Sequence, residues 1–274
     1  RWANVHDEAM VLMASGMIAL VATAITDRLR SNMFESRGAL ELERARSRQL
    51  LDNVLPATVA ERMLDFGCND PSGICVFETF ADHFEEVSIL FADIVGFTAL
   101  SSKLPPAALL HGLNDIFVAF DAIADELGVY KVKTIGDAYM VAAGVPEARD
   151  DHAAALAEMA VRMLAHVEAN PLLGEHPLQL RIGIHSGPVV AGVIGLTGFT
   201  YDVWGDTVNV ASRMESHGVV GAVQVSDTTA QALQGTSLSL EPRGEMEVKG
   251  KGLMRTWLVE GRRGAEVERL TASA

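Results

Sequence analysis

Asp93, in the stretch FADIVGFT, and Asp137, in KTIGDAYM, are the residues of this sequence best placed to do chemistry. Asp93 follows Glu85–Ala92 (EEVSILFA), a short apolar run with β-branched and aromatic content that reads as a buried strand. Asp137 belongs to Gly136-Asp137, a tight-turn dipeptide between the strand-like runs Tyr130–Ile135 and Ala138–Ala143, so a hairpin is predicted. If these strands are neighbours, the two carboxylates meet although 137 − 93 = 44 positions separate them. Carboxylates that close repel unless they share a proton or a divalent cation. Magnesium takes oxygen ligands, usually one or two carboxylates plus substrate phosphates. The turn after Asp93 also offers backbone N–H groups to a phosphate. Taken singly, each aspartate is an ordinary turn former or helix cap.

A second cluster lies in YDVWGDTVNVASR, residues 201–213. Asn209 and Arg213 stand i, i+4 on one helix face, so an amide and a guanidinium can address one ligand. Arginine is suited to charge on a transferring phosphoryl group. From the spacing alone, an ordinary polar pair on a surface helix is the simpler reading. Other chemistries lack their motifs. There is no GxxxxGK[ST], no GxGxxG after a strand, no HExxH and no GxSxG, and the eight histidines are scattered. Cys68 and Cys75 form neither a disulfide framework nor a CxxC pair.

The elements that must carry these residues follow from periodicity. Pro105-Pro106 opens a stretch with apolar residues at helical spacing, and Gly128 is its predicted stop. Residues 151–170 form a second amphipathic helix, Leu178–Ser186 alternates as a strand, and Val208–Ser216 is helical. Val223-Gln-Val and Thr256-Trp-Leu-Val are later strands. The order strand–helix–hairpin–helix–strand–helix–strand predicts an α+β fold, a ferredoxin-like α/β sandwich.

The N-terminal part differs in kind. Ala9–Thr26 is an 18-residue run free of charge. As a helix it spans about 27 Å, just short of a hydrocarbon core of about 30 Å. A signal peptide conflicts with His6, Asp7 and Glu8 ahead of the run, and a buried soluble helix is the other alternative. A transmembrane helix is preferred. Arg28, Arg30 and Arg37 after it place the rest of the chain in the cytoplasm. Because the chain starts at Arg1, earlier spans are expected to be missing. Residues 31–80 read as a helical linker with a marginal heptad seam (Met33, Leu40, Ser47, Val54 with Ser36, Glu43, Leu50), a possible dimeric coiled coil. The expected domains are 1–30 transmembrane helix, 31–80 linker, 81–262 catalytic domain and 263–274 C-terminal tail.

The 274 residues carry 22 basic and 36 acidic side chains, a formal net charge of −14, with 49% hydrophobic residues. That composition excludes wholesale disorder and argues against nucleic-acid binding, which needs clustered cations. A polyphosphate substrate remains possible if bound metal supplies positive charge.

In this order, FADIVGFT, KVKTIGDAYM, RIGIHSGPVVAGVIG and YDVWGDTVNVASRMES resemble the class III nucleotidyl cyclases, from about Glu85 to Val259. The chain is most similar to the membrane-anchored homodimeric adenylyl cyclases of mycobacteria. The resemblance implies that Asp93 and Asp137, with the Ile94 carbonyl, hold two Mg²⁺ or Mn²⁺ ions. It implies that Lys133 and Asp202 select the base, and that Asn209 and Arg213 orient the ribose and stabilise the transition state. Phe97, Arg181, Lys249 and Lys251 match further substrate-binding positions, Arg181 and either Lys249 or Lys251 as cations near the triphosphate. The six principal positions show no departure from the family pattern, which argues against a catalytically dead copy. Adenine presents an N6 donor and an N1 acceptor, which Asp202 and Lys133 complement, whereas guanine reverses the pattern. The implied function is conversion of ATP to 3′,5′-cyclic AMP and pyrophosphate at the cell membrane, in a homodimer whose two sites each draw on both chains. The alternatives are a guanylyl cyclase and a non-catalytic nucleotide-binding regulatory module. A diguanylate cyclase is disfavoured because its GG[DE]EF turn is absent.

Overall fold

The computed structural model describes residues 55–67, 81–174, 176–194 and 200–260, with isolated helical positions between 17 and 33. The chain divides into two compact units, 1–60 and 61–274. Of the expected membrane run Ala9–Thr26 only Met17, Leu20 and Thr23 are described, all helical and exposed. The heptad seam beyond Met33, apart from the chain from Leu55 onward, both cysteines and the C-terminal tail lie outside the described residues.

The second unit is built on βαββαβ. Strand β1 (Ala81–Ile94) leads through a short helix α2 (Phe97–Ser101) into α3 (Pro106–Leu127), with α1 (Ala57–Gly67) preceding it all. The hairpin β2 (Tyr130–Ile135) and β3 (Ala138–Ala143) follows, then α4 (His152–Ala169), a minor hairpin β4 (Leu172–Leu173) and β5 (His176–Pro177), and β6 (Leu180–Ile194). The strands run β2-β3-β1-β6, every neighbour antiparallel, which is the expected ferredoxin-like order. Beyond β6 the sheet continues with β8 (Val223–Ser226), parallel to it, then β10 (Gly252–Glu260) and β9 (Ser239–Val248). β7 (Thr200–Trp204) pairs the far end of β6, and α5 (Asp206–Ser216) and α6 (Asp227–Ala232) complete the chain. The periodicity reading missed β7, β9, α2 and α6 and made β1 and β6 too short.

Alternation along the strands divides the burial. Leu90, Ala92, Tyr139, Val141, Ile182, Ile184, Val223 and Val225 share one core with Ile116 and Phe120 of α3 and Leu156, Met159 and Met163 of α4. α3 starts with proline in its first turn and ends at Gly128 in the left-handed region at φ 61°, as its sequence dictates. It is the one helix among the described residues long and apolar enough to cross a membrane, yet its Ile116, Phe120, Ile123 and Ala124 are buried.

The opposite face carries α5. Gly183 and Gly187 of β6 let it approach: a Cβ at Gly183 would stand 2.0 Å from the Glu215 nitrogen, and one at Gly187 2.8 Å from the Thr207 hydroxyl. Four strand residues span about 13 Å and the seven or eight helix residues above them about 11–12 Å. The helix therefore lies along β6, and Thr207 fastens it by donating to the Pro188 carbonyl at 2.6 Å.

Candidate active site

β1 and β3 are neighbours, with Ala92 opposite Tyr139, so the end of β1 lies beside the β2–β3 turn. Gly136 takes φ 64° there, a conformation glycine adopts without steric cost. Asp93 and Asp137 stand close enough for the charge of Asp137 to raise the Asp93 carboxyl. On its other side Asp93 faces Arg181 of β6 in register, and the guanidinium bonds Asp93 at 3.3 Å and Glu215 of α5 at 3.0 Å. Burial, then the nearby charges of Asp137 and Glu215, push the Asp93 carboxyl up to about 6, with Arg181 opposing. Burial also raises Glu215. Two acids thus bond one arginine and a third, Asp137, adds its charge to theirs, leaving the negative charge in excess. The donor set fits magnesium or manganese: hard oxygen ligands, two of them carboxylates, with room left for substrate phosphates. Among the described residues no group of three or more His, Cys, Asp or Glu side chains is arranged to hold a metal ion by itself.

Lys133 and Asp202 form a second pair. Register slips by one residue between Lys131 and Lys133 on β2, a bulge at Val132. Lys131 consequently opposes Val141, on the helix-covered face, and bonds Asp121 of α3 at 2.8 Å. Lys133 opposes Met140 and turns to the other face, where it forms an ion pair with Asp202 of β7. The Val203 N–H donates to the other Asp202 oxygen at 2.8 Å, and the Tyr130 hydroxyl donates to the Tyr201 carbonyl at 3.3 Å. Two main-chain and side-chain contacts thus orient this pair.

Asn209 and Arg213 are brought to neither cluster. Thr207, Val210, Ala211, Met214 and Glu215 form the buried face of α5, and at 100° per residue Asn209 and Arg213 point nearly opposite. Both are exposed, and among the described residues neither side chain has a hydrogen bond or ion pair. Phe97 begins α2 and packs partly buried against the main core. Lys251 pairs with Asp206 at 2.7 Å at the start of α5, while Lys249 is exposed on the β9–β10 turn. Arg181 alone of the three candidate triphosphate cations stands at the acidic cluster. Glu215 escaped the sequence reading, though a glutamate on an apolar helical stripe was its signal.

An antiparallel ferredoxin-like sheet with two acids gathered at a strand end offers the hard oxygen ligands that a divalent cation would accept. The chain belongs to the class III nucleotidyl cyclases: residues 80–261 match the adenylate and guanylate cyclase catalytic domain. It is 44% identical over 246 residues to an adenylate cyclase of Mycobacterium bovis, covering 90% of this chain and 52% of that protein. A receptor-type guanylate cyclase of Caenorhabditis elegans is 43% identical over 82% of this chain and 17% of its own length. Among solved structures, the guanylate cyclase domain of RhGC from Catenaria anguillulae in complex with GTP superposes with a TM-score of 0.64 at 40% identity, covering 66% of this chain and all of that one. The chain thus spans about half the length of its mycobacterial relative.

Proposed function

We propose that this chain is an adenylyl cyclase, acting as a homodimer on ATP to give 3′,5′-cyclic AMP and pyrophosphate. The observation that carries the choice of base is the Lys133–Asp202 pair, a cationic donor beside a carboxylate acceptor. Asp202 accepts from the adenine N6 amino group, and Lys133 donates to N1; guanine would meet acceptor with acceptor and donor with donor. Asp93, Asp137 and the Ile94 carbonyl hold the two Mg²⁺ or Mn²⁺ ions. When bound, such ions ease deprotonation of the ribose 3′-hydroxyl and offset charge on the departing pyrophosphate. Asn209 orients the ribose while the 3′-oxygen attacks the α-phosphorus in line. The Pα–O bond to pyrophosphate breaks, and the hydroxyl proton passes to solvent. Arg213 donates to the α-phosphoryl oxygens as their charge grows, a contribution on the order of 3 kcal/mol. Phe97, Arg181, Lys249 and Lys251 complete the substrate contacts.

The outward face of α5 supports a site shared between chains. Asn209 and Arg213 point away from their own sheet, so one protomer offers them to the acids of its partner. In this reading residues 81–262 are the catalytic domain, 31–80 the linker and 1–30 a membrane anchor, with catalysis on the cytoplasmic side and 263–274 a tail. Similarity to the mycobacterial adenylate cyclase supports the choice of activity. The anchor rests on the composition of Ala9–Thr26.

Guanylyl cyclase activity is the second reading, favoured by the nearly equal identity to the nematode guanylate cyclase. Purified chain incubated with equal ATP and GTP, plus Mg²⁺ or Mn²⁺, decides between them. Cyclic AMP is expected as the dominant product; dominant cyclic GMP overturns the assignment, and no cyclic product from either nucleotide leaves the regulatory-module reading.

A further inference from the structure

Gln224 of β8 is fully buried, at 0% exposure. It stands in register with Gly183 across the parallel β6–β8 contact, so the two positions share the sheet face that carries α5. Gly183 leaves the gap into which the helix backbone settles. Beside that gap the Gln224 amide donates to the Met214 carbonyl at 3.1 Å and to the Met246 sulfur at 3.3 Å.

The last carbonyls of a helix have no intrahelical partner. In α5 the Arg213 carbonyl accepts from the His217 N–H at 3.2 Å, and the Glu215 carbonyl from the Gly218 N–H at 2.7 Å. The Met214 carbonyl between them takes its hydrogen bond from the sheet, through Gln224. Stability alone does not ask for an amide at this position. Its Oε1 has no hydrogen-bond partner among the described residues, and an unpaired buried acceptor offsets much of what the donor contributes. The surroundings are apolar: Val210, Met214 and Val248 form a small core with Met246 and Met254. A methionine would fill that space.

We infer that Gln224 is a positioning residue for Arg213: by holding the adjacent Met214 carbonyl to the sheet, it sets the orientation from which the guanidinium enters the partner's site. The inference rests on the role proposed above for Arg213 and on the shared site. Misplacement of a reacting group by about 1 Å can cost roughly a hundredfold in rate.

Heterodimers test it. An Arg213→Ala chain paired with an Asp93→Ala chain retains one working site, with the acid from the first and the arginine from the second. Both parental homodimers are silent. Gln224→Met placed on the Asp93→Ala chain is expected to lower kcat roughly tenfold to a hundredfold, with KM for ATP little changed. The same substitution on the Arg213→Ala chain should leave the rate as it was. Equal losses from either chain would show a merely structural role and overturn the inference, as would no loss from either. An inactive parent heterodimer with Gln224 intact would instead remove the shared site itself, and this inference with it. Gln224→Leu serves where the methionine chain fails to pair.

Discussion

The two charged clusters of the site differ in how their charge is balanced. Arg181 bonds Asp93 and Glu215, Asp137 stands beside Asp93, and burial followed by the neighbouring acids raises Asp93 to about 6. Lys133 and Asp202 match one for one, and a main-chain N–H steadies the acid. On the proposed function, a divalent cation completes the first cluster, and the second exchanges its mutual contact for the edge of a base. In that reading imbalance marks the place for a cation, and balance the place for recognition.

Removing an acid from the unbalanced cluster should have the largest effect. Asp137→Ala leaves the β2–β3 turn intact, because Gly136 supplies the positive φ. Metal-dependent cyclic nucleotide formation is expected to fall by about a thousandfold or more, equivalent to several kcal/mol of transition-state stabilisation. The circular dichroism spectrum should be unchanged. Substantial turnover with Mg²⁺ or Mn²⁺ would remove Asp137 from the metal role.

Arg213→Ala should come next, with a loss of roughly a hundredfold to a thousandfold, because the side chain belongs to neither cluster of its own chain. Mixing inactive Asp93→Ala and inactive Arg213→Ala chains should restore one working site per heterodimer. Persistent inactivity of a mixture shown to contain heterodimers would mean that the outer face of α5 does not serve the partner.

How much of this was legible in the sequence depended on the range of the signal. Local chemistry announced the Gly136-Asp137 turn, the Gly128 stop and the period of α3, and the structure follows all three. The meeting of Asp93 with Asp137 was legible too, once β1 and β3 were taken as neighbours. Lys133 was harder. Strict alternation in KVK puts Lys131 and Lys133 on the same face, and only the bulge at Val132 separates them. A bulge is fixed by pairing with another strand, so no local pattern reveals it. β7 and β9 were missed for a related reason. β9 is mostly exposed and contains Pro242 and Gly244, so it lacks an apolar period, and its place at the sheet edge comes from pairing with β10 alone. Glu215 and Gln224 hide as polar residues in apolar settings, legible only after their neighbours are known.

The balanced cluster predicts a smaller effect. Lys133→Glu with Asp202→Cys replaces donor by acceptor and acceptor by a weak donor, the pattern complementary to guanine. Loss of hydrogen bonds to charged groups, about 1.5–3 kcal/mol each, should lower kcat/KM for ATP by about tenfold or more. GTP should become a measurable substrate. An unchanged ratio of the two nucleotides would separate this pair from base selection.

The finest comparison between the clusters is by pH, in protein stripped of divalent ions. Asp93 has a folded pKa of about 6 against an ordinary 3.8, so between those values the folded protein binds more protons than the unfolded chain. Stability from this group is therefore greatest at low pH, falls as pH rises through about 4 to 6, and levels off above. The effect has an upper bound of about 3 kcal/mol. Buried His152 and His185, both lowered, work in the opposite direction over much of this range, since the unfolded chain takes up their protons more readily. The raw melting curve consequently mixes both trends, and the difference between Asp93→Asn and wild type reports Asp93 together with the acids coupled to it. That difference should widen in favour of the substituted chain from pH 4 to 6 and then hold constant. Adding Mg²⁺ or Mn²⁺ at pH 7 should narrow it by stabilising wild type alone, whereas Lys133→Met should leave the metal response of the wild-type acids in place. A pH-independent difference would mean that the acidic cluster is already balanced without a cation, and the contrast between the two clusters would disappear.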